Sequence, residues 1–139
     1  MTAAFVIDCS VAMTWCFLDE AAPATKRLFE RMASETALAP AWWRIELTNV
    51  LAMAERAGRI GREKAHEFIA LVESLNIELD FEGPERAFEH LLPLCRAHQL
   101  TSYDAMYLEL AIRRRLPLAT LDDALRKATR KVGVELLAR

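Results

Sequence analysis

The chain has 139 residues, a length typical of one domain spanning 1–139, and its 53% hydrophobic content is sufficient for a sizeable core. A formal net charge of −2 at pH 7 excludes the strongly basic proteins that bind nucleic acid over their whole surface. The three cysteines are an odd number without metal-site spacing, which predicts a reducing, cytoplasmic environment. We expect no signal peptide or membrane span, because Asp8 interrupts the first apolar run and no later run approaches ~20 residues.

Five short stretches predict the strands of a sheet. Residues 3–7 are apolar, show no helical periodicity and stop at Asp8, as expected for a strand buried on both faces. Residues 77–81 alternate apolar and acidic side chains, which is typical of a strand with one exposed face. The other predicted strands cover residues 37–40, 116–120 and 134–137.

Helical patterns separate these strands. Ser10 is expected to cap a short helix over residues 11–18, and Pro93 predicts a kink or break within residues 84–98. The remaining predicted helices cover residues 25–33 and 43–57, a segment around Phe68, Leu71, Val72 and Leu75, residues 103–115, and a segment from Asp122 to near Gly133. This alternation predicts an α/β fold with a mostly parallel sheet of four to five strands and about seven helices on its two faces.

Aromatic and aliphatic side chains indicate how the helix over residues 43–57 packs. Trp42 and Trp43, at its start, are expected to form core or subunit contacts. Its inner face is assigned to Ile45, Val50, Leu51 and Ala54.

Four acidic residues occupy equivalent positions in this pattern. Asp8 and Asp122 follow predicted strands, whereas Glu46 and Asp104 lie in the first turns of predicted helices. A parallel sheet collects such positions on one rim, at the carboxyl ends of its strands. Two unit charges ~4 Å apart repel by about 4 kcal/mol at an effective dielectric of 20, so either a carboxyl group takes up a proton or a cation joins the group. Oxygen ligands favour Mg²⁺ or Mn²⁺, which activate water for phosphodiester cleavage.

Each acid also has a purely structural interpretation. Asp122 is well placed as a helix N-cap, which taken alone is the favoured interpretation. Asp104 can complement the helix dipole, worth ~0.3–1 kcal/mol, and Glu46 can be an ordinary acid of a first helical turn. Asp8 is harder to explain in this way, because it ends the most apolar strand, where a charge is costly. The four together are therefore more informative than any one of them.

Four stretches resemble the motifs of the PIN domain family, in particular the VapC-type toxin ribonucleases of bacterial toxin–antitoxin pairs. Residues 6–10 (VIDCS) are similar to the family's first strand and its acid, and residues 40–51 (PAWWRIELTNVL) are similar to its second motif. Residues 100–111 (LTSYDAMYLELA) match most closely, and residues 116–125 (LPLATLDDAL) carry the fourth acid. The resemblance extends over essentially the whole chain.

The resemblance implies a three-layer α/β sandwich and a metal-dependent endoribonuclease that acts as a toxin. It implies Asp8 and Asp104 as direct ligands of Mg²⁺ or Mn²⁺, with Glu46 and Asp122 holding a second ion or orienting water. Ser10 and Thr120 are then expected to hold the carboxylates by hydrogen bonds. The implied partners are an RNA substrate, a cognate antitoxin protein and, in a homodimer, a second copy of the chain.

Two other classes of function stay open from the sequence. A different Asp-dependent phosphohydrolase is one, although the haloacid-dehalogenase pattern needs an Asp where Ser10 stands, and a receiver-like site needs an acidic pair beside Asp8. A non-catalytic PIN-like binding module is the other.

Two basic stretches, residues 113–115 and 126–131, allow two interpretations. Their charges can form solvated faces that complement helix C-termini, or they can contact phosphates along an RNA strand. The three histidines have no ligand spacing and are expected on the surface: His66, His90 and His98.

Overall fold

A five-stranded sheet, parallel throughout, organises the computed structural model, which describes residues 2–138. Its strands are β1 (Ala3–Ile7), β2 (Thr36–Pro40), β3 (Ile77–Asp80), β4 (Leu118–Ala119) and β5 (Leu136–Leu137). The spatial order is β3-β2-β1-β4-β5, so the chain winds outward from β1 in both directions. Because parallel crossovers are right-handed, this reversal places helices on both faces of the sheet and confirms the predicted α/β architecture.

Seven α-helices connect the strands within the described part of the chain. They are α1 (Cys9–Thr14), α2 (Pro23–Arg31), α3 (Trp43–Arg56), α4 (Arg62–Ser74), α5 (Leu92–His98), α6 (Ser102–Arg114) and α7 (Asp123–Lys131). A 3₁₀ helix, Trp15–Glu20, follows α1. No helix among residues 2–138 combines the length and apolar character needed to cross a bilayer.

The central strand β1 explains the apolar run at the start of the sequence. It pairs with β2 through Val6 and Leu38 and with β4 through Ile7 and Ala119. Side chains on both of its faces are fully buried, which is the condition that favours an uninterrupted apolar strand. The strands β4 and β5 each contain two residues and are shorter than predicted.

The first helix begins earlier than the sequence predicts. Asp8, rather than Ser10, is its N-cap, because the Asp8 carboxylate accepts a hydrogen bond from Val11 N at 3.2 Å. Asp and Ser are comparably good N-caps, so the residue type alone does not distinguish them. The α-helix ends at Thr14 and gives way to the 3₁₀ helix, where we predicted one continuous helix over residues 11–18.

The predicted inner face of α3 is right for Leu51 and Ala54, which lie in or against the core, and wrong for Ile45 and Val50. Ile45 is 65% exposed and Val50 is also exposed, whereas the buried residues of this helix are Trp43, Leu47 and Leu51. These three residues are spaced four apart and therefore lie on one face. Apolar residues occur on every side of α3, so periodicity does not identify the face that meets the sheet.

Pro93 interrupts the predicted helix over residues 84–98, as expected. The segment consists of a 3₁₀ turn, Pro84–Arg86, a π-helical turn, Ala87–Leu91, and then α5, which has Pro93 at its start. Proline is tolerated in a first helical turn, where its missing N–H leaves no intrahelical bond unmade.

Arg113 is the centre of an ion cluster and does not belong to a solvated basic face. Its guanidinium contacts Asp80 and Glu82 at 2.8 Å and Glu109 at 2.9 Å, and its side chain is only 14% exposed. Arg86 Nε also donates to Glu109 at 2.5 Å. The cluster therefore ties α6 to the end of β3 and to the 3₁₀ turn that follows it.

Arg113 also controls the ionisation of Asp80. Burial pushes the pKa of Asp80 upward, but the hydrogen bonds and charge of Arg113 outweigh burial and hold that pKa below its ordinary value. The charged form of Asp80 is therefore stabilised in the folded protein.

We expect Arg113→Met to lower the free energy of unfolding by about 3–5 kcal/mol at pH 7, because it leaves Asp80 and Glu109 buried without this partner. Since the pKa of Asp80 is lowered by folding, its contribution is present above its unfolded value of about 3.9 and is lost as the pH falls. The difference from the unaltered protein should shrink below about pH 4. Urea unfolding at pH 7 and pH 3 measures both quantities.

Arg114→Met is the matched control, because Arg114 is the exposed neighbour of Arg113 on the same helix. Its free energy of unfolding should stay within about 0.5 kcal/mol of the unaltered protein. Equal effects of the two substitutions would contradict the structural role of the cluster.

Candidate active site

The four predicted acids lie where the strands deliver the chain to the carboxyl edge of the sheet. Asp8 follows β1 and Asp122, the N-cap of α7, follows β4. Glu46 lies in the first turn of α3, shortly after β2, and Asp104 lies in the first turn of α6. Because β1 stands between β2 and β4, Asp8 occupies the middle of this acidic rim, with Glu46 and Asp122 to either side.

The Asp8 carboxylate is buried and its two oxygens accept three hydrogen bonds. Oδ1 accepts from Ser10 Oγ at 2.6 Å and from Val11 N at 3.2 Å, and Oδ2 accepts from Thr120 Oγ1 at 2.5 Å. Only 4% of Asp8 is exposed. These donors fix the orientation of the carboxylate and offset part of the cost of its burial.

The same two hydroxyl groups hold the loop that carries Asp122. Ser10 Oγ accepts from Leu121 N at 2.9 Å, and Thr120 Oγ1 accepts from Asp122 N at 3.1 Å. Each hydroxyl thus donates to Asp8 and accepts from this loop. The hydrogen bonds expected of Ser10 and Thr120 are therefore present, while their role in supporting metal ligands stays a prediction.

Asp122 is anchored as a helix cap and Arg126 braces its loop. Asp122 Oδ2 accepts from Leu125 N at 2.9 Å. Arg126 Nε donates to the Thr120 carbonyl at 3.0 Å, and its guanidinium also donates to the Ala138 carbonyl. Arg126 therefore points into the protein, so this member of the second basic stretch does not form part of a free basic face.

Glu46 is held by a residue that the sequence analysis did not single out. Tyr107, which is 1% exposed, donates its hydroxyl to Glu46 Oε1 at 3.1 Å. The same hydroxyl lies 3.5 Å from Cys9 Sγ, and that thiol reaches the Trp43 carbonyl at 3.6 Å. The signal for Tyr107 was its spacing, since it lies three residues after Asp104 and so on the same side of α6.

Burial and mutual repulsion disfavour the charged forms of three of these acids. Burial raises the pKa of Asp8 against its opposing hydrogen bonds, and the charge of Asp122 adds to this effect. Burial raises the pKa of Glu46, with smaller contributions from Asp104 and Asp8, against the hydrogen bond from Tyr107.

The pKa of Asp104 is likewise raised, first by burial and then by the charges of Asp122 and Asp8. The structure therefore brings Asp8 and Asp104 each within electrostatic reach of the other three acids.

No lysine or arginine among residues 2–138 forms an ion pair with any of the four acids. Within the same residues, no three acidic, histidine or cysteine side chains are arranged to hold a metal ion by themselves. The donors are hard carboxylate and hydroxyl oxygens. This chemistry fits Mg²⁺ or Mn²⁺, because Mg²⁺ keeps several waters and takes one or two carboxylates together with substrate phosphates.

Among residues 2–138, no ion pair joins a histidine to any of the four acids. His66 and His90 are exposed as expected, whereas His98 is half-buried at the end of α5. Of the two tryptophans near Glu46, Trp43 is in the core and Trp42 is exposed.

Comparison with known structures shows the same fold in distant proteins. PAE2754 from Pyrobaculum aerophilum aligns with a TM-score of 0.70 at 20% identity, covering 96% of this chain and 83% of that one. VapBC2 from Rickettsia felis, bound to a DNA fragment from its promoter, aligns with a TM-score of 0.67 at 12% identity, covering 96% of each chain.

The sarcin-ricin loop cleaving toxin VapC20 of Mycobacterium tuberculosis aligns with a TM-score of 0.60 at 18% identity, covering 90% of this chain and 95% of that one. No curated protein matches the chain in sequence. The model of the PIN domain family matches residues 5–131. Because that match spans most of the chain, the chain belongs to the PIN domain family.

Proposed function

We propose that this protein is a divalent-metal-dependent endoribonuclease that acts as the toxin of a toxin–antitoxin pair. The observation that carries the proposal is the acidic rim of Asp8, Glu46, Asp104 and Asp122, whose charges repel one another. No cation from the described part of the chain pairs with them. An external divalent cation relieves this repulsion and meets the phosphate of a substrate at the same place.

Each acid has a role in this proposal. Asp8 and Asp104 ligate the ion directly, and Glu46 and Asp122 hold a second ion or orient water. Once bound, Mg²⁺ or Mn²⁺ supplies a Lewis acid for the phosphodiester and lowers the pKa of bound water. The buried hydrogen bonds from Ser10 and Thr120 keep the Asp8 carboxylate in one orientation.

The structural relatives support the proposed substrate and partner. One of them is a toxin that cleaves the sarcin-ricin loop, and a toxin–antitoxin complex from Klebsiella pneumoniae has a similar fold. In this chain, the exposed Trp42 and Ile45 lie four residues and one residue before Glu46 and provide apolar surface on which an antitoxin segment can lie. We also propose that the chain is a single domain and forms a homodimer. The proposed location is the cytoplasm, in keeping with its free cysteines.

The purified protein, freed of any partner, should cleave RNA in the presence of Mg²⁺ or Mn²⁺ and stop when chelator is added. Attack by water should leave a 5′-phosphate and a 3′-hydroxyl. Co-purification with the product of the adjacent gene should suppress cleavage. Gel analysis of a labelled RNA measures all three properties.

Cleavage that continues in chelator, or that leaves a cyclic phosphate, contradicts the metal mechanism. A protein that binds RNA but never cuts it supports a non-catalytic binding module. Hydrolysis of small phosphate esters without RNA cleavage supports a different phosphohydrolase.

The substitution Asp104→Asn separates a ligand from a helix-dipole residue. If Asp104 belongs to a repelling cluster, the variant should be as stable as the unaltered protein, or more so, in chelator. With Mn²⁺ at ten times its Kd, the unaltered protein should gain ~1.4 kcal/mol and the variant much less. Thermal unfolding of both proteins with chelator and with Mn²⁺ gives the comparison.

Asp123→Asn serves as the matched control, because Asp123 is the exposed neighbour of Asp122 and is not a proposed ligand. It should keep the full Mn²⁺-induced shift. Equal shifts in the Asp104 and Asp123 variants reject Asp104 as a ligand.

Tyr107→Phe tests whether Glu46 takes part in metal binding. The substitution removes the hydroxyl that donates to Glu46 and leaves the ring in place. Loss of a partner that orients a ligand typically weakens metal binding by about 10–100-fold, and we expect a change of that order. Tyr103→Phe, an exposed site one helical turn away, should leave the Kd unchanged. Titration calorimetry measures the Kd for Mn²⁺ in both variants. Equal Kd values for the Tyr107 variant and the unaltered protein exclude Glu46 from metal binding through this hydrogen bond.

A further inference from the structure

A cleft of about 270 Å³ lies between the end of α5 and α7. Its cationic and polar lining residues are Lys127, Lys131, His98 and Gln99, and the small side chains of Ala97, Ala124 and Ala128 complete the lining. We call it the basic cleft.

The basic cleft is formed by segments of the chain that adjoin two of the four acids in sequence. Gln99 stands two residues before Thr101, the N-cap of the helix that carries Asp104. Lys127 follows Asp122 by five residues along α7, which places it roughly 7.5 Å further along the helix axis. Because α7 follows β4, the cleft lies on the β4 side of Asp8, whereas Glu46 lies on the β2 side.

Its two lysines are exposed side chains of α7. Neither Lys127 nor Lys131 forms an ion pair among residues 2–138, although Asp123 and Glu135 lie four residues away from them. Like charges four residues apart on a helix repel each other. The helix dipole favours Lys131 in the last turn but does not explain Lys127 in the middle of α7.

Two arginines of the two basic stretches show what a structural role looks like in this chain. Arg113 is paired with three carboxylates, and Arg126 donates to two backbone carbonyls. Lys127 follows Arg126 directly, but it lies about 100° further around the helix and lines the basic cleft. Within the second stretch, Arg126 therefore braces the loop of Asp122, whereas Lys127 and Lys131 are exposed.

We propose that the basic cleft binds the backbone phosphates of the RNA strand next to the phosphate that is cleaved. This inference rests on the proposed function. A protein of net charge −2 whose active site is a rim of acids repels a polyanion, so binding energy must come from a local cationic surface. Lysine ammonium groups act as point charges toward phosphate, which suits contacts without sequence preference.

The test compares Lys127→Gln/Lys131→Gln with Lys26→Gln/Arg27→Gln. The control pair removes the same charge from exposed positions on α2 that form no ion pair among residues 2–138. The probe is a fluorescent single-stranded RNA of mixed sequence, and its Kd is measured by anisotropy in chelator over a range of salt concentrations. The KM for cleavage of the same RNA is measured with Mn²⁺.

Each phosphate contact of a single strand contributes ~0.7 to the magnitude of the negative slope of log K against log salt. We therefore expect the cleft variant, which loses two such contacts, to have a slope smaller in magnitude by about 1.4. This corresponds to about tenfold weaker binding at 0.15 M salt and to little difference at 1 M. The KM should rise in parallel. The control pair should retain the slope, and Lys127→Arg/Lys131→Arg should restore it because the charge is kept.

The proposal is overturned if the unaltered protein cleaves RNA but the cleft and control variants have equal salt slopes and equal KM values. That result leaves the proposed function intact. Failure of the Arg variant to restore binding also overturns it, because the effect is then not one of charge. If the unaltered protein neither binds nor cleaves RNA, the proposed function fails and the inference fails with it.

Discussion

The buried carboxylate of Asp8 is the constraint on which the rest of the site depends. A charge at the end of a fully apolar strand is costly, so its surroundings must supply donors. Ser10 and Thr120 do so, and both also accept hydrogen bonds from the loop that leads into α7. The side chain that ends β1 thereby caps α1, joins the ends of β1 and β4 and sets the position of Asp122. The hydroxyl groups that solvate the Asp8 carboxylate are therefore the same groups that position the rest of the rim on the β4 side.

The chain contains two clusters of acids, and the contrast between them supports a functional interpretation of one. Asp80 and Glu109 are buried around the guanidinium of Arg113, which holds the pKa of Asp80 below its ordinary value. The acids of the rim include Asp8, whose pKa is raised. The fold can therefore supply an arginine where acids have only a structural role. The rim has no such partner among residues 2–138, and its charge is open to a cation from solution.

Some local signals in the sequence were informative and others were not. The apolar run before Asp8 and the break at Pro93 depend on neighbouring residues, and both are found in the structure. The cap of α1 was assigned to Ser10 instead of Asp8, because both residue types cap helices well. The contacts of Tyr107 and Arg113 could not be predicted, because they join residues 61 and 33 positions apart. Two of the four residues assigned to the inner face of α3 were also mistaken, since apolar residues surround that helix and only the sheet decides which of them are buried. Whether the four acids bind a metal ion likewise depends on distances in space, which the sequence does not give.

The helix α6 links the rim to the ion cluster and explains why both sit on one sheet. It contacts β1, β2 and β4 as well as α7, so it crosses the sheet instead of lying beside one strand. Asp104 and Tyr107 are near its start, whereas Arg113 is nine residues after Asp104, or roughly 13.5 Å along the axis. Its buried central part, including Leu108, fixes this separation. The repelling acids at the start of α6 and the ion pairs at its end are therefore held apart by one buried helix.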